Sequence, residues 1–200
     1  MRTKSETRRQ AILKAATKIF QEAGFERTSM SEIATRVGYS KTTLYSYFPS
    51  KEELFFTVIL DATEAEFQAT HAALDPTTDD IAQALENFGQ HLLTLIYSPR
   101  LQAARRLMVS ESGPSDLGRK CFEAGPARGQ ALVAEFLRDA MDQGKLRRAD
   151  HRIAAFHLRG LLEAEWNDRF MFQMLEEFSK VEVVDSVKRA VSVFMAAYGT

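Results

Sequence analysis

Apolar residues recur at spacings of three and four along most of this chain, and no sustained period-two alternation appears, so the pattern predicts an all-α protein. Ile12, Leu13, Ala16, Ile19 and Phe20 make one stripe of a first helix, expected from about Ser5 to Ala23 and stopped by Gly24, a residue suited to a left-handed C-terminal position. Ser29-Met30-Ser31-Glu32 fits a capping box that opens a short helix to about Val37. Gly38 permits a positive φ in a tight turn, Ser40 can cap a second short helix through Tyr47, and Pro49 keeps that helix from continuing. Ser50-Lys51-Glu52-Glu53 is a second capping box, and a long helix to about Leu74 follows.

Beyond Pro76, Thr77-Thr78-Asp79-Asp80 opens a helix whose seam is Ile81, Leu85, Phe88, Leu92 and Leu95 and which Pro99 closes. Leu101 to Ser110 reads as helical, Gly113-Pro114 as a break, and Gly125-Pro126 as the start of a helix ending near Gly144. One helix is expected from His151 to about Leu175, apolar on more than one side and so buried on both. A last helix, Val181 to Tyr198, carries a stripe at Val184, Val187, Val191, Phe194 and Tyr198. The expected organisation is a three-helix unit over 1–50, extending into the helix from 51, and a helical body over 51–200.

Composition is near the globular average, 45% hydrophobic and 26% charged, which favours a folded core over disorder. A single cysteine, Cys121, excludes an internal disulfide and a multi-cysteine zinc site, and a reducing compartment is the simpler expectation. His71, His91, His151 and His157 show no ligand spacing, so neither a metal nor a cofactor is expected. The start of the chain is polar and basic with no apolar run behind it, and no stretch approaches a membrane span, so a cytoplasmic protein without a membrane partner is expected.

Charge becomes informative when divided along the chain. Residues 1–51 hold ten Lys or Arg against four Glu, a net of +6, whereas the remainder holds sixteen against twenty-three, a net of −7. Such a split suggests a segment that meets a polyanion attached to a body that does not, although exposed cations also simply solvate a helix face. Within the basic segment, Ala34 is small enough for two helices to approach, Gly38 turns the chain, and Leu44 plugs the core. Helix-turn-helix units need these properties at this spacing, because the second helix is held across the first while its outer face stays free for a major groove. That face offers Tyr39, Ser40, Lys41, Thr42, Thr43, Tyr45 and Tyr47, hydroxyls and an ammonium for phosphates, with Thr42 and Thr43 also able to reach base edges or a thymine methyl. Core packing is the competing reading for Phe48 and Tyr45. Arg36 reads as a solvated residue near the backbone.

The run from Gly38 to Leu54, with Ile12 to Ala16, Phe20, Gly24-Phe25, Thr28 and Ile33-Ala34 before it, resembles the DNA-binding head of TetR/AcrR-type bacterial transcriptional regulators over about the first 60 residues. The resemblance implies a homodimer with two DNA-reading heads, a near-palindromic double-stranded operator, and repression relieved by a small-molecule inducer. By position it puts Thr28, Ser29, Tyr47 and Lys51 at or near phosphate and Ser40 to Tyr45 in the groove. Thr42 stands where many relatives have glycine, which leaves the operator sequence open.

The rest of the chain fits the family's more weakly similar regulatory domain, the run from Phe122 to Pro126 pointing to one AcrR-like subgroup. There the two C-terminal helices would make an intersubunit four-helix bundle, unless the same stripes belong to a monomer core. Phe88, His91, Leu92, Leu95, Met108, Phe122, Phe136, His157, Leu161 and Trp166 are the candidates for an inducer pocket, with ordinary core packing as the alternative for each. A helical enzyme is the competing class, but no phosphate loop, nucleophile elbow, paired zinc-ligand motif or His-Glu-x-x-His is present, so no enzyme is expected; a dimeric interaction module without DNA binding is the alternative. An activator of the same fold is a further alternative to a repressor.

Overall fold

A computed structural model describes residues 5–111, 116–175 and 179–200. Eleven α-helices occur among them: α1 (Glu6–Arg27), α2 (Met30–Val37), α3 (Lys41–Tyr47), α4 (Lys51–Ala72), α5 (Ile81–Ile96), α6 (Pro99–Glu111), α7 (Leu117–Phe122), α8 (Arg128–Asp142), α9 (His151–Glu163), α10 (Asn167–Met171) and α11 (Lys180–Tyr198). No strand is present among the described residues, only an isolated bridge between Leu146 and Gly199. The expected break at Gly113-Pro114 lies outside the described residues. The chain divides into two compact units, Met1–Thr63 with Ala104–Gly118, and Glu64–Ala103 with Arg119–Thr200.

In the first unit the α1 stripe is buried, Ile12 and Ala16 completely, together with Met30, Ile33 and Ala34 of α2 and Leu44 of α3. Gly24, at φ 79° and ψ 170°, interrupts α1 and leaves Phe25–Arg27 as one further turn. That excursion brings Phe25 against Phe55 of α4, ring centroids 4.9 Å apart, with Phe20 meeting the same ring edge-on at 5.0 Å.

The core of the second unit lies between α5, α8, α9 and α11. Asp80 caps α5 by accepting from the Gln83 N–H, and Asp150 caps α9 by accepting from Arg152 and Ile153. Gly89 lets α5 approach closely, for a Cβ there would fall 2.7 Å from Leu162 and 2.9 Å from Val187.

Two elements depart from the sequence expectation. Pro126 does not begin a helix: α7 runs on through a π-helical turn, Glu123–Ala127, into α8. Proline has no N–H to give and its ring crowds the carbonyl four residues back, and a widened turn accommodates both. The single helix expected from His151 to Leu175 is instead two, α9 and α10. Trp166 provides the reason, since it is almost fully buried with its indole N–H donating to Ser186 Oγ at 3.0 Å, and turning the chain ahead of α10 puts that donor where its acceptor is. Ile153, Phe156, Met171 and Phe172 are exposed in the single chain.

The C-terminal half of α4 is fastened to α8. Arg128 makes two 2.8 Å hydrogen bonds to the Glu64 carboxylate and lies over the Phe67 ring at 4.3 Å, and its hydrogen bonds hold the Glu64 carboxyl down at about 2. One turn on, His71 Nδ1 bonds the Phe67 carbonyl at 2.8 Å, with the Phe88 ring 5.5 Å away. Burial pushes the His71 imidazole below its ordinary value of 6.5, outweighing that hydrogen bond. The folded chain therefore holds this proton less firmly than the unfolded chain, so the stability tied to His71 is complete above about pH 6.5 and is lost as pH falls through the depressed value. Chemical denaturation from about pH 7 to about pH 5 should show that loss, and His71→Gln should flatten it. Identical profiles for the two proteins would exclude the effect.

Candidate nucleic-acid interface

Helix α2 starts at Ser29, whose hydroxyl accepts from the Glu32 N–H at 3.2 Å, and ends at Gly38 in the left-handed region, φ 78° and ψ 26°. The Gly38 and Tyr39 N–H groups both return to the Ala34 carbonyl at 3.0 Å, closing the helix with a turn that a side chain at 38 would strain. Ser40 then caps α3, accepting from the Thr43 N–H at 3.1 Å. Seven residues are too few for a helix to hold itself in water, so α3 depends on its cap and on its buried side, where Leu44 is fully and Phe48 almost fully covered.

The opposite side of α3 is polar and carries no carboxylate. Ser40, Lys41, Thr42, Tyr45 and Ser46 are exposed, and Tyr39, Thr43 and Tyr47 are half-buried. Tyr45, open to either packing or exposure in the sequence, lies outward at 47% exposure. Ser29, the cap of α2, is exposed. Thr28 and Lys51, placed near phosphate by the resemblance, are engaged internally. Thr28 is buried with its hydroxyl donating to the Gly24 carbonyl at 2.7 Å. The Lys51 ammonium donates to the Phe25 carbonyl at 3.0 Å and sits 4.0 Å over the Phe25 ring, closing the end of α1. Arg36 pairs with Glu22 at 3.1 Å.

Sequence reasoning overlooked the start of α1. There the Ser5 N–H donates to the Tyr47 hydroxyl at 3.0 Å, and the Arg8 guanidinium stands 5.9 Å from the centre of the Tyr39 ring. Only the Arg8-Arg9 doublet in the sequence hinted at it.

The inducer-pocket candidates are scattered. Phe88, Leu92, Phe136 and Trp166 are core residues of the second unit, Leu95 and Leu161 are partly covered, and His91, His157 and Phe122 are exposed. Met108 is half-buried and belongs to the first unit. His157 and Leu161 instead line an open groove of about 370 Å³ with Phe156, Gly160, Val193 and Tyr198, where His157 Nδ1 and the Tyr198 hydroxyl lie 2.6 Å apart. No cluster of three or more metal-ligating side chains occurs among the described residues, and no described helix is long and apolar enough to cross a membrane.

Residues 12–58 match the model of bacterial regulatory proteins of the tetR family, and residues 83–200 match that of the AefR-like transcriptional repressor C-terminal domain. The chain belongs to the TetR family. It is thus a DNA-binding transcription regulator, and its family and structural neighbours are regulators rather than enzymes. The structure of a TetR-family regulator from Mesorhizobium loti MAFF303099 superposes over 100% of both chains with a TM-score of 0.83 at 29% identity. Among relatives, the HTH-type transcriptional activator FasR of Mycolicibacterium smegmatis is 37% identical over 75 residues, 38% of this chain but only 34% of FasR. The nucleoid occlusion factor SlmA of Vibrio vulnificus YJ016 is 27% identical over 190 residues, 89% of this chain and 93% of SlmA.

The Ser40 cap gives a direct test of how α3 is held. Ser40→Ala should lower the unfolding free energy by about 1 kcal/mol. Amide exchange at Thr43 should quicken at the same time, and an unchanged Thr43 rate would show that the cap does not hold the helix.

Proposed function

We propose that this TetR-family chain is a repressor that grips a near-palindromic operator as a homodimer and leaves it when a small molecule binds the second unit. The observation that carries the DNA reading is the short, capped α3 with Leu44 buried beneath it and an exposed, carboxylate-free row of Ser40, Lys41, Thr42 and Tyr45 above. Residues 1–50 and the start of α4 form the reading head. Thr42 and Thr43 meet base edges or a thymine methyl, Lys41 a phosphate or a guanine, and the hydroxyls of Ser29, Tyr39 and Tyr47 the backbone. Thr28 and Lys51 shape the head from within, each bonded to a carbonyl at the end of α1.

Dimerisation through the outer faces of α9 and α11 is supported by the exposed Ile153, Phe156 and Val193 and by the open groove at Gly160 between them. Two copies so joined would present two α3 helices to half-sites about one helical turn apart or somewhat more. Repression is supported by the repressor domain that residues 83–200 match, and activation remains the second reading because FasR carries that name. Inducer binding is supported by Gln130 of α8, whose amide nitrogen is buried without an acceptor among the described residues, a group that a polar ligand would satisfy. Release then follows if the ligand prefers an arrangement of the dimer in which the two heads no longer fit the operator.

A mobility-shift scan of the DNA flanking the chain's own gene tests the reading. A shifted fragment should lose affinity steeply as salt rises, and Lys41→Ala with Thr42→Ala should weaken it by about tenfold or more while the dimer stays intact. Binding indifferent to both salt and the double substitution would refute it.

A further inference from the structure

The cations of α1 to α3 and the start of α4 fall into two groups. Arg9 faces Glu6 at 3.8 Å, Arg36 pairs with Glu22, Arg27 donates to the Ala23 carbonyl at 2.9 Å, and Lys51 donates to that of Phe25. Arg8, Lys14, Lys18 and Lys41 are exposed and have no such acceptor among the described residues. Lys41 is on α3 itself, and Arg8 is the other of these four that the structure sets directly beside α3.

Two contacts put it there. Tyr39, whose ring lies under the Arg8 guanidinium, immediately precedes the cap of α3, and Tyr47, whose hydroxyl accepts from the Ser5 N–H, is the last residue of α3. The first turn of α1 therefore borders α3 at both of its ends. Among the described residues no carboxylate pairs with Arg8: α3 has no acidic residue, and Glu6 is already shared by Arg9 and Gln10.

We infer that Arg8 is a DNA-backbone contact, its guanidinium seated on the Tyr39 ring and donating to a phosphate that flanks the groove occupied by α3. A planar guanidinium suits the position, because its face packs on an aromatic ring while the N–H groups on its edge remain free for the two oxygens of a phosphate. The seat limits the freedom that a long side chain would otherwise lose on binding. Being a phosphate contact, it adds affinity without regard to sequence. The inference rests on the groove-binding reading of α3.

Salt titration of duplex binding tests it, on the shifted fragment flanking the chain's own gene and on an unrelated duplex of equal length. Arg8→Gln should weaken binding to both duplexes and lower the slope of log affinity against log salt by about two, one contact from each protomer. The wild-type advantage should accordingly shrink by about tenfold between about 50 and about 200 mM salt. Arg8→Lys should keep most of the slope while losing part of the affinity, since it retains the charge but not the planar seat. An unchanged slope for Arg8→Gln overturns the inference, as does weakened binding that tracks a lowered melting temperature. Lys41→Ala separates the two claims: if it weakens binding while Arg8→Gln does nothing, only the Arg8 contact fails. Should neither substitution matter, the reading of α3 fails as well.

Discussion

A seven-residue helix has no stability of its own, so every property assigned to α3 depends on how it is held. Leu44 is its one fully buried side chain, and Phe48, just past the last turn, is nearly so. The left-handed turn at Gly38 aims the helix, and the Ser40 hydroxyl satisfies one of its free N–H groups. With one side fixed in this way, the polar residues between Ser40 and Tyr47 have only the other side to occupy. The exposed polar face of α3 is thus a consequence of core packing: its side chains are presented because Leu44 leaves the helix a single way to lie.

The surroundings of α3 obey the same economy. Lys51 is bonded to the Phe25 carbonyl and Arg36 pairs at the surface with Glu22, while Arg8 and Lys41 stay exposed without a carboxylate partner among the described residues. Net charge over the first 51 residues therefore overstates the cations available to DNA. In the second unit, Arg128 on Glu64 and Phe67 fastens α8 to the far half of α4, and close approach at Gly89 joins α5 to α9 and α11. Apolar side chains at Ile153, Phe156 and Val193 are left facing outward on this body.

The helices with strong local signals were legible in the sequence. Ser29, Gly38, Ser40 and Ser50 mark the ends of α2 to α4 because capping and left-handed turns are local chemistry, and the α1 stripe from Ile12 to Phe20 is periodic enough to declare its buried side. Trp166 was not legible, because its turn is set by Ser186, twenty residues away, and an apolar stretch gives no warning that an indole needs an acceptor. Pro126 misled in the opposite direction, since a widened turn carries the helix past it. For the site, position along the chain identified the exposed residues of α3 but not the inward bonds of Thr28 and Lys51, which depend on where α1 ends. The place of Arg8 beside Tyr39 was not legible for the same reason, since the two are distant in sequence.

Methylation protection of an operator fragment reads the groove directly, because dimethyl sulfate attacks guanine N7 in the major groove and adenine N3 in the minor. If α3 lies where its buried side requires, guanine N7 should be shielded in two patches about one helical turn apart or somewhat more, and both patches should vanish with Leu44→Ser, which unseats the helix. Shielding confined to adenine N3, or guanine patches that survive the loss of Leu44, would contradict the account.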